Sequence, residues 1–316
     1  MSTKRSRVHP PYKTKYRVSN WASYNKALVD RGSLRLWISP GAIANWNAKP
    51  GKRHRGGQPK YSNLAIETAL NLRLVYHLPL RQTEGFVASI SKLMGLHLDV
   101  PDHSTLSRRG KALKTKLKAN GHIGPIDLII DSTGLSIFGE GQWAAAKYGK
   151  KGFQGWKKLH LGVDGTGIIV AETLTGPNVD DAKTGVRMIK KARFRVKTVV
   201  GDAAYDSREI YEAVEECGAR VVVPPIKNAR FSRHAPRARN RLVKRIAKVG
   251  RQRWKRETRY HRQGRVENTF FRYKSMIGDR LRSRDPGTQN TEVILGCNIL
   301  NRMFECGRPR SVAIRD

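Results

Sequence analysis

The sequence predicts an α/β protein in which a mixed sheet with helices follows a mostly helical N-terminal region. Up to Gly121, apolar residues recur at the spacing of three and four residues that is typical of helices. Beyond Gly121, short apolar runs of strand length alternate with helical segments. Two parts are therefore expected, residues 1–122 and residues 123–316, which fits a length of 316 residues.

Charge and composition restrict the function before any motif is considered. The chain has 62 Lys and Arg residues against 25 Asp and Glu residues, a formal net charge of +37 at pH 7. This self-repulsion destabilises a compact protein, and a polyanionic partner such as nucleic acid would neutralise it. A hydrophobic content of 39% is enough for a packed core, which argues against a disordered basic tail.

Two further features indicate a protein that stays inside the cell. No apolar run approaches the roughly 18 residues of a membrane span, and no signal-peptide core follows the basic start. The widely spaced Cys217, Cys297 and Cys306 indicate reduced thiols rather than disulfides or a zinc site. We therefore expect no membrane partner and a cytoplasmic, nucleoid-associated location.

The first sixty residues predict short elements between basic segments. Met1–Tyr16 is rich in Lys, Arg and Pro and predicts a flexible basic arm. Asn20 is placed to cap a helix, the alternation over Leu34–Ile38 predicts a short strand, and Ser39-Pro40 starts another helix. The basic stretch Lys49–Lys60, with three glycines and two prolines, predicts a hinge or a clamp on a DNA backbone.

Three more helices predict a helix-turn-helix-like DNA-binding part. Ser62–His77 and Leu80–Met94 are helical by their period, and Asp102 or Ser104 can cap a third helix whose leucines face inward through Leu117. The alternative is a structural helical bundle with a solvated basic face. The residues at the candidate recognition end are His103, Ser104, Thr105, Arg108 and Arg109.

The second part begins with three strands and continues with alternating helices and strands. This order is that of a ribonuclease H-like fold with a mixed five-stranded sheet, in which the first and fourth strands are neighbours. Asp180 and Asp181 are placed to cap the first helix, or alternatively to lie near a site. The expected elements are strands Ile126–Ile130, Trp156–Val163, Ile168–Leu174, Val196–Val200 and Ala219–Val223, and helices Asp181–Lys191, Ser207–Glu216 and one around Glu267.

A basic insertion separates the last strand from the last helix. Lys227–Arg262 holds 15 Lys or Arg residues in 36 positions, with Glu257 as its one acid. Because few apolar residues could pack it, we expect the insertion, about residues 227–259, to contact DNA rather than to form core. The alternative is a solvated charged excursion.

Three acids are placed to form a metal site. Asp131 is expected at the end of the first strand, Asp202 at the end of the fourth, and Glu267 on the last helix. Carboxylate oxygens are the ligands that Mg²⁺ prefers, and Mn²⁺ can replace it. Taken singly, each aspartate is also a common turn or cap residue, and a helical Glu beside arginines is often a surface ion pair.

The motifs around these acids resemble the DDE transposases of bacterial insertion sequences, specifically the insertion-sequence five group of the insertion-sequence four superfamily. The resemblance rests on Asp131-Ser132-Thr133-Gly134 and on Gly201-Asp202-Ala203-Ala204-Tyr205-Asp206. It also rests on Tyr260, Glu267 and Lys274, which match a signature of Tyr, Arg, Glu and Lys at fixed spacing. The Arg position of that signature is occupied by Gln263.

The resemblance implies a metal-dependent DNA transposase. Such an enzyme hydrolyses phosphodiesters at terminal inverted repeats and transfers the freed 3′-hydroxyls to target DNA. It implies Asp131, Asp202 and Glu267 as catalytic metal ligands, and Tyr260 and Lys274 as contacts to the transposon end. Gln263 and Arg265 are expected to contact DNA as well. Because Gln263 lacks the charged fork of Arg, Arg262 or Arg265 is the candidate replacement for the phosphate contact at this position of the signature. Double-stranded DNA is the expected partner, bound by a homo-oligomer, a dimer or larger.

Two other functions remain open at this point. One is a DNA-binding protein descended from a transposase that no longer cuts. The other is a structure-selective nuclease of the same fold, which would cut branched DNA and never join a 3′-hydroxyl to a target. The intact set of acids disfavours the first, and only an assay separates the second.

Overall fold

The computed structural model describes residues 16–49, 56–119, 124–137, 155–192 and 195–314. The expected basic arm, apart from Tyr16, and positions 50–55 of the expected hinge lie outside these ranges.

Within the described ranges, no helix has the length and apolar character needed to cross a membrane.

The N-terminal part is mostly helical, as expected, and side chains define several of its helix starts. The hydroxyl of Ser39 accepts from the backbone N–H of Ala42, and that of Ser62 accepts from Ala65. Asn20 does not cap with its side chain, because its amide donates to the Arg308 carbonyl instead. The helices of this part are α1 (Trp21–Asp30), α2 (Leu34–Trp37), α3 (Pro40–Ala44), α4 (Asn63–Val75), α5 (Leu80–Leu93) and α6 (His103–Ala112).

The prediction of a strand at Leu34–Ile38 is wrong, because this segment forms the single turn α2. Trp37 is buried and its indole N–H donates to the Arg31 carbonyl. The backbone N–H of Ile38 donates to the Leu34 carbonyl and closes the turn. An alternation over five residues is too short to distinguish a strand from one helical turn, and burial of the indole selects the helix.

The α/β part contains a mixed sheet. The strands that the structure describes are β1 (Tyr16–Val18), β2 (Ile126–Ile137), β3 (Trp156–Val163), β4 (Ile169–Thr175), β5 (Val196–Val200), β6 (Arg220–Val222), β7 (Arg280–Leu281) and β8 (Ser311–Ala313). In the mixed sheet the strands follow the order β4-β3-β2-β5-β6, with β3 antiparallel to β2 and β4, and β5 parallel to β2 and β6. The first strand of this part, β2, therefore neighbours the fourth, β5, as the ribonuclease H-like prediction requires.

Three short strands, β1, β7 and β8, were not expected from the sequence. The short β7 pairs in parallel with the end of β2, so the described sheet has six strands rather than five. β1 and β8 pair antiparallel in a separate two-stranded sheet that joins the two ends of the described chain.

Asp131 lies within its strand rather than at its end. β2 continues for six residues beyond Asp131, because β3 pairs with it from Ile129 opposite Val163 to Ser136 opposite Trp156. The polar residues after Asp131 suggested a turn, but the long antiparallel partner keeps them extended.

Six helices lie in the described residues of the α/β part, and the sequence predicted three of them, over residues 181–190, 208–216 and 264–276. The six helices are α7 (Asp181–Lys190), α8 (Arg208–Glu216), α9 (Arg237–Val249), α10 (Arg251–Glu257), α11 (Gly264–Met276) and α12 (Pro286–Cys306).

The buried residues form two clusters on the two faces of the sheet. One cluster holds α7 and α8 against one face. The other joins α11, α12 and the second face to the N-terminal helices, through residues such as Ile66, Leu106 and Leu295. The boundary near residue 122 stays a prediction about how the chain divides, and the packing runs across it.

Polar side chains of α12 bind the backbone on both sides of this boundary. Asn301 donates to the carbonyls of Lys118 and Ile169 and accepts from the Ile169 N–H, at 2.8–2.9 Å. Asn298 accepts from the Lys118 N–H at 2.7 Å and donates to the Lys116 carbonyl. These amides fix the connecting segment and β4 to α12.

We expect Asn301→Ala to lower the free energy of unfolding by about 2–4 kcal/mol, because it leaves three buried backbone groups without partners. Urea denaturation at pH 7.5 measures the change. Asn290→Ala, at an exposed position of the same helix, is the control and should shift stability by no more than about 0.5 kcal/mol. Equal losses in the two variants would contradict this role of Asn301.

Candidate active site

The register of the sheet brings two of the three predicted acids together. Ile129 on β2 lies opposite Val200 on β5, and Asp131 and Asp202 each follow this pair by two residues. Both aspartates therefore lie on the same side of the sheet, on neighbouring strands about 4.8 Å apart. Glu267 is exposed in the first turn of α11, the helix that packs on this face.

The electrostatics show that the three carboxylates lie near one another. Burial raises the pKa of Asp131 to about 6, with further contributions from Asp202, Glu267 and Asp181. Burial also raises the pKa of Asp202, and Asp181 adds to it. The cluster is therefore a partly desolvated group of like charges.

Local backbone bonds hold the two aspartates. The Asp131 carboxylate accepts from the Ser132 N–H at 2.8 Å. Asp202 accepts from the Ala204 N–H at 3.0 Å and begins a 3₁₀ turn over Ala203–Tyr205. The buried Tyr205 ring lies against Gly201, where a Cβ atom would come within 2.9 Å of it. The Gly-Asp-Ala-Ala-Tyr motif thus combines a close ring–backbone contact with a rigidly held carboxylate.

Asp181 is a fourth acid of the cluster, and sequence analysis left its role open. Asp180 caps α7 by accepting from the Lys183 N–H, whereas Asp181 accepts from Lys158 Nζ at 3.2 Å. Its charge contributes to the raised pKa of both Asp131 and Asp202. Asp181 therefore lies beside the predicted site rather than only at a helix start.

Asp206 is a functional candidate that sequence analysis missed. Its side chain is 1% exposed and accepts hydrogen bonds from both Nε and Nη2 of Arg239, at 2.9 and 3.1 Å. It also accepts from the Tyr211 hydroxyl and the Ile226 N–H. The last residue of the Asp202 motif thus fixes α9 of the basic insertion to the sheet. Its place in the motif was visible in the sequence, but its partners were not.

The turn before α11 places Tyr260 at the carboxylates. Tyr260–Gln263 is a 3₁₀ turn rather than a backward extension of the helix. Burial, together with the charges of Asp202, Glu267 and Asp131, raises the pKa of Tyr260 to about 12. Its ring packs at 5.9 Å from Trp254, which the insertion buries in the core.

The structure corrects the DNA contact expected of Gln263. This side chain is 4% exposed and donates through Nε2 to the Ile130 carbonyl at 3.3 Å. A residue buried beneath β2 cannot reach a phosphate. Arg262 forms an ion pair with Asp127, so it is not available as the expected replacement. Arg265 and Lys274 are exposed on α11, the helix of Glu267, where the predicted DNA contact requires them.

The candidate recognition end of α6 is only partly open. Asp102 caps the helix, and its carboxylate accepts from the N–H and hydroxyl groups of both Ser104 and Thr105. Arg109 donates to the Tyr61 carbonyl and to Asn63. These hydroxyls and Arg109 are thus occupied within the chain.

Arg108 and His103 line a surface cavity of about 590 Å³, and His103 is held by Glu84, whose Oε2 lies 2.9 Å from its Nδ1. A helix-turn-helix role of this part stays a prediction.

The acids fit a divalent metal by their chemistry. Carboxylate oxygens suit a hard cation, and the charges of Asp202, Glu267 and Asp181 add to the raised pKa of Asp131 that burial causes. Across the described ranges, no three Asp, Glu, His or Cys side chains are arranged closely enough to hold one ion. The donor types and their proximity therefore support a metal site without giving its geometry.

Two family models with the description "Transposase DDE domain" match the chain, one over residues 29–140 and one over residues 123–302. The second spans more than half of the chain and includes all three predicted acids. Among solved structures, a Drosophila P element transposase strand transfer complex matches with 13% sequence identity and a TM-score of 0.28. That match covers 63% of this chain and 47% of the other, so the chain corresponds to about half of that protein's length.

We expect Asp131→Asn to stabilise the metal-free protein by about 1–2 kcal/mol at pH 7.5, because it removes a partly buried charge among like charges. The native pKa is raised to about 6 from 3.8, so the penalty is complete above pH 6 and disappears below about pH 4. The advantage should therefore vanish at low pH.

Urea denaturation in EDTA at several pH values measures this difference. Asp30→Asn, in an exposed ion pair with Lys26, is the control with little expected effect. A destabilised Asp131→Asn protein at pH 7.5 would contradict the repulsive cluster.

We expect Asp206→Ala to lower stability by about 3 kcal/mol, because it leaves Arg239 buried without its partner. The freed insertion should also become more sensitive to trypsin at its many Lys and Arg residues. Glu212→Ala, which breaks the exposed pair with Arg208, is the matched control. If trypsin cuts the two variants within residues 227–259 at the same rate, Asp206 does not hold the insertion.

Proposed function

Because the chain belongs to the transposase family defined by the DDE domain, we propose that it is a transposase of an insertion sequence. In this proposal it binds the terminal inverted repeats, hydrolyses phosphodiesters at the ends and transfers the 3′-hydroxyls to target DNA. The observation that carries the proposal is that Asp131 and Asp202 lie on one face of the sheet and Glu267 on the helix that packs there, in a chain of net charge +37.

Divalent metal, Mg²⁺ or Mn²⁺, is the proposed cofactor. Asp131, Asp202 and Glu267 would hold it, and Asp181 lies near enough to contribute to the same field. When bound, such a metal polarises a phosphodiester oxygen and lowers the pKa of an attacking water or hydroxyl. The clustered carboxylates would otherwise repel the phosphate that they have to approach.

The surrounding residues hold and orient the DNA. Tyr260 stays protonated at neutral pH, because its pKa is raised to about 12, so its hydroxyl can donate to a phosphate oxygen beside the carboxylates. Arg265 and Lys274 are exposed on the helix of Glu267 and would bind the flanking phosphates.

The helices α9 and α10 add a basic surface, held to the sheet by Asp206 and Arg239. Binding of double-stranded DNA by this surface, oligomerisation of the chain on paired ends and a location at the nucleoid all belong to the proposal.

The test incubates the protein with a labelled inverted-repeat end and a plasmid target, with and without Mg²⁺. The wild-type protein should nick the end and join it to the plasmid only with metal. Glu267→Ala should reduce both steps by at least about 100-fold, since loss even of a residue that only supports a metal ligand costs 10–100-fold. DNA binding should stay equal or become tighter, because a negative charge is removed.

Glu216→Ala, which removes an exposed glutamate paired with Lys190 on the far helices, is the matched control and should keep full activity. Cutting of branched DNA without joining would identify a structure-selective nuclease instead. Tight binding without cutting by the wild-type protein would identify an inactive DNA-binding protein.

A further inference from the structure

An arginine-rich cavity lies where the N-terminal helices meet the edge of the sheet. It has a volume of about 880 Å³ and opens between the turn joining α4 to α5 and the segment from the end of α11 through β7. Among its lining residues Asp279 is the one acid. The basic residues that line it are Arg73, Arg81, Arg280, Arg282, Arg284 and His77.

Arg73 is buried with its charge incompletely compensated. Its side chain is 8% exposed, and its Nε has no hydrogen-bond partner within the described ranges. Glu292 is near enough to interact electrostatically. Both oxygens of Glu292, however, already accept from the backbone N–H groups of Arg282 and Ser283, at 2.8 and 3.0 Å. A buried guanidinium nitrogen without a partner is costly. Arg73 lines the cavity, where an anion would interact favourably with its charge.

Arg282 is held in place within the same cavity. Its Nη2 donates to His77 Nδ1 at 2.8 Å, and His77 has a left-handed backbone with φ of 57°. This conformation is uncommon for a residue other than glycine, and such strain is concentrated at functional positions. The His77 bond fixes the direction of the guanidinium before any ligand arrives, which lowers the entropy cost of binding.

The position of the cavity favours DNA over a small anion as its ligand. It shares Pro79, Leu80 and Arg81 with the neighbouring cavity at the start of α6, where Arg108 lies. At its other end β7 pairs with β2 at Ser136, five residues beyond Asp131. The cavity thus connects the candidate recognition helix to the catalytic strand.

We propose that this cavity binds a backbone phosphate of the DNA that is held at the carboxylates, with Arg73 and Arg282 as its principal donors. The proposal rests on the proposed function and adds one named contact to it. Five strand residues correspond to about 17 Å, and DNA advances 3.4 Å per base pair. The bound phosphate is therefore expected about five base pairs or more from the cleaved bond.

The first experiment measures binding of a 30-base-pair duplex containing the inverted repeat, in EDTA, as a function of salt. Arg282→Gln and Arg284→Gln should each weaken binding, Arg282→Gln by about tenfold because charged hydrogen bonds are lost. Each lost phosphate contact should reduce the slope of log K against log salt by about 0.9. Arg220→Gln, at an exposed position of edge strand β6, is the control and should change neither quantity.

Folding is checked separately, because Arg282 also contacts His77. Circular dichroism and the urea midpoint should match the wild type in Arg284→Gln, which replaces an exposed side chain. Arg73→Met keeps the length of the buried side chain without its charge. It should lose affinity for DNA while its stability is retained or increased.

The second experiment locates the contact by replacing single phosphates of the duplex with neutral methylphosphonates. One replacement, about five or more base pairs from the cleaved bond, should weaken binding of the wild type by about tenfold. The same replacement should have a clearly smaller effect in Arg282→Gln, because one of the two principal donors to that phosphate is already absent. If every phosphate replacement weakens binding by the same factor in the wild type and in Arg282→Gln, the assignment is overturned.

The outcomes separate this proposal from the function on which it rests. If the wild type binds the duplex with a normal salt slope and the cavity variants match Arg220→Gln, only the cavity assignment fails. If the wild type binds no duplex, the proposed function fails with it. If inorganic phosphate raises the melting temperature of the wild type but not of Arg73→Met, and the two proteins bind DNA with the same affinity, the site binds a free anion and the DNA assignment is wrong.

Discussion

The burial of α12 is the constraint on which the rest of the structure depends. Of its 21 residues, 13 are buried, so its polar side chains have to be satisfied by other segments. Asn298 and Asn301 bind the connecting backbone and β4, and Glu292 binds the segment after β7. On the face of α12 that contacts α11, Gly296 leaves room for the Tyr273 ring. The helix that carries Glu267 is therefore positioned by α12 as much as by the sheet.

The carboxylate cluster differs from α12, because its buried polar groups repel one another instead of being satisfied by partners. Burial raises the pKa of both Asp131 and Asp202, and the charge of Asp181 adds to both shifts, so the cluster costs free energy. The pairing of β2 with β3 and β5 holds Asp131 on the face against which α11 packs. Local repulsion maintained by surrounding packing is typical of a functional site, because a sequence selected for stability alone would remove it.

Sequence periodicity predicted the five main strands of the mixed sheet, because burial of alternate residues leaves a strong pattern. The motifs around Asp131, Asp202 and Glu267, rather than periodicity, indicated the DDE transposase family. Periodicity could not predict α12: a helix buried on nearly all sides has no amphipathic period to detect. Asp131 was placed at a strand end because the pattern turns polar there, whereas pairing with β3 extends the strand. Gln263 was assigned to DNA by its position in a signature, and only the packing against Ile130 shows that it is buried. Roles set by distant partners, such as that of Asp206, are not visible in one sequence.

The basic insertion is built into the site rather than attached beside it. On its N-terminal side the insertion is held by the ion pair of Arg239 with Asp206, which follows Asp202 by four residues. On its C-terminal side Trp254 packs against Tyr260. Each attachment therefore involves a residue close to the acids, Asp206 in sequence and Tyr260 by its electrostatic interactions. Because Arg239, Arg245 and Arg253 are already paired with acids of the chain, the proposed binding of DNA has to rely on the other basic residues of the insertion.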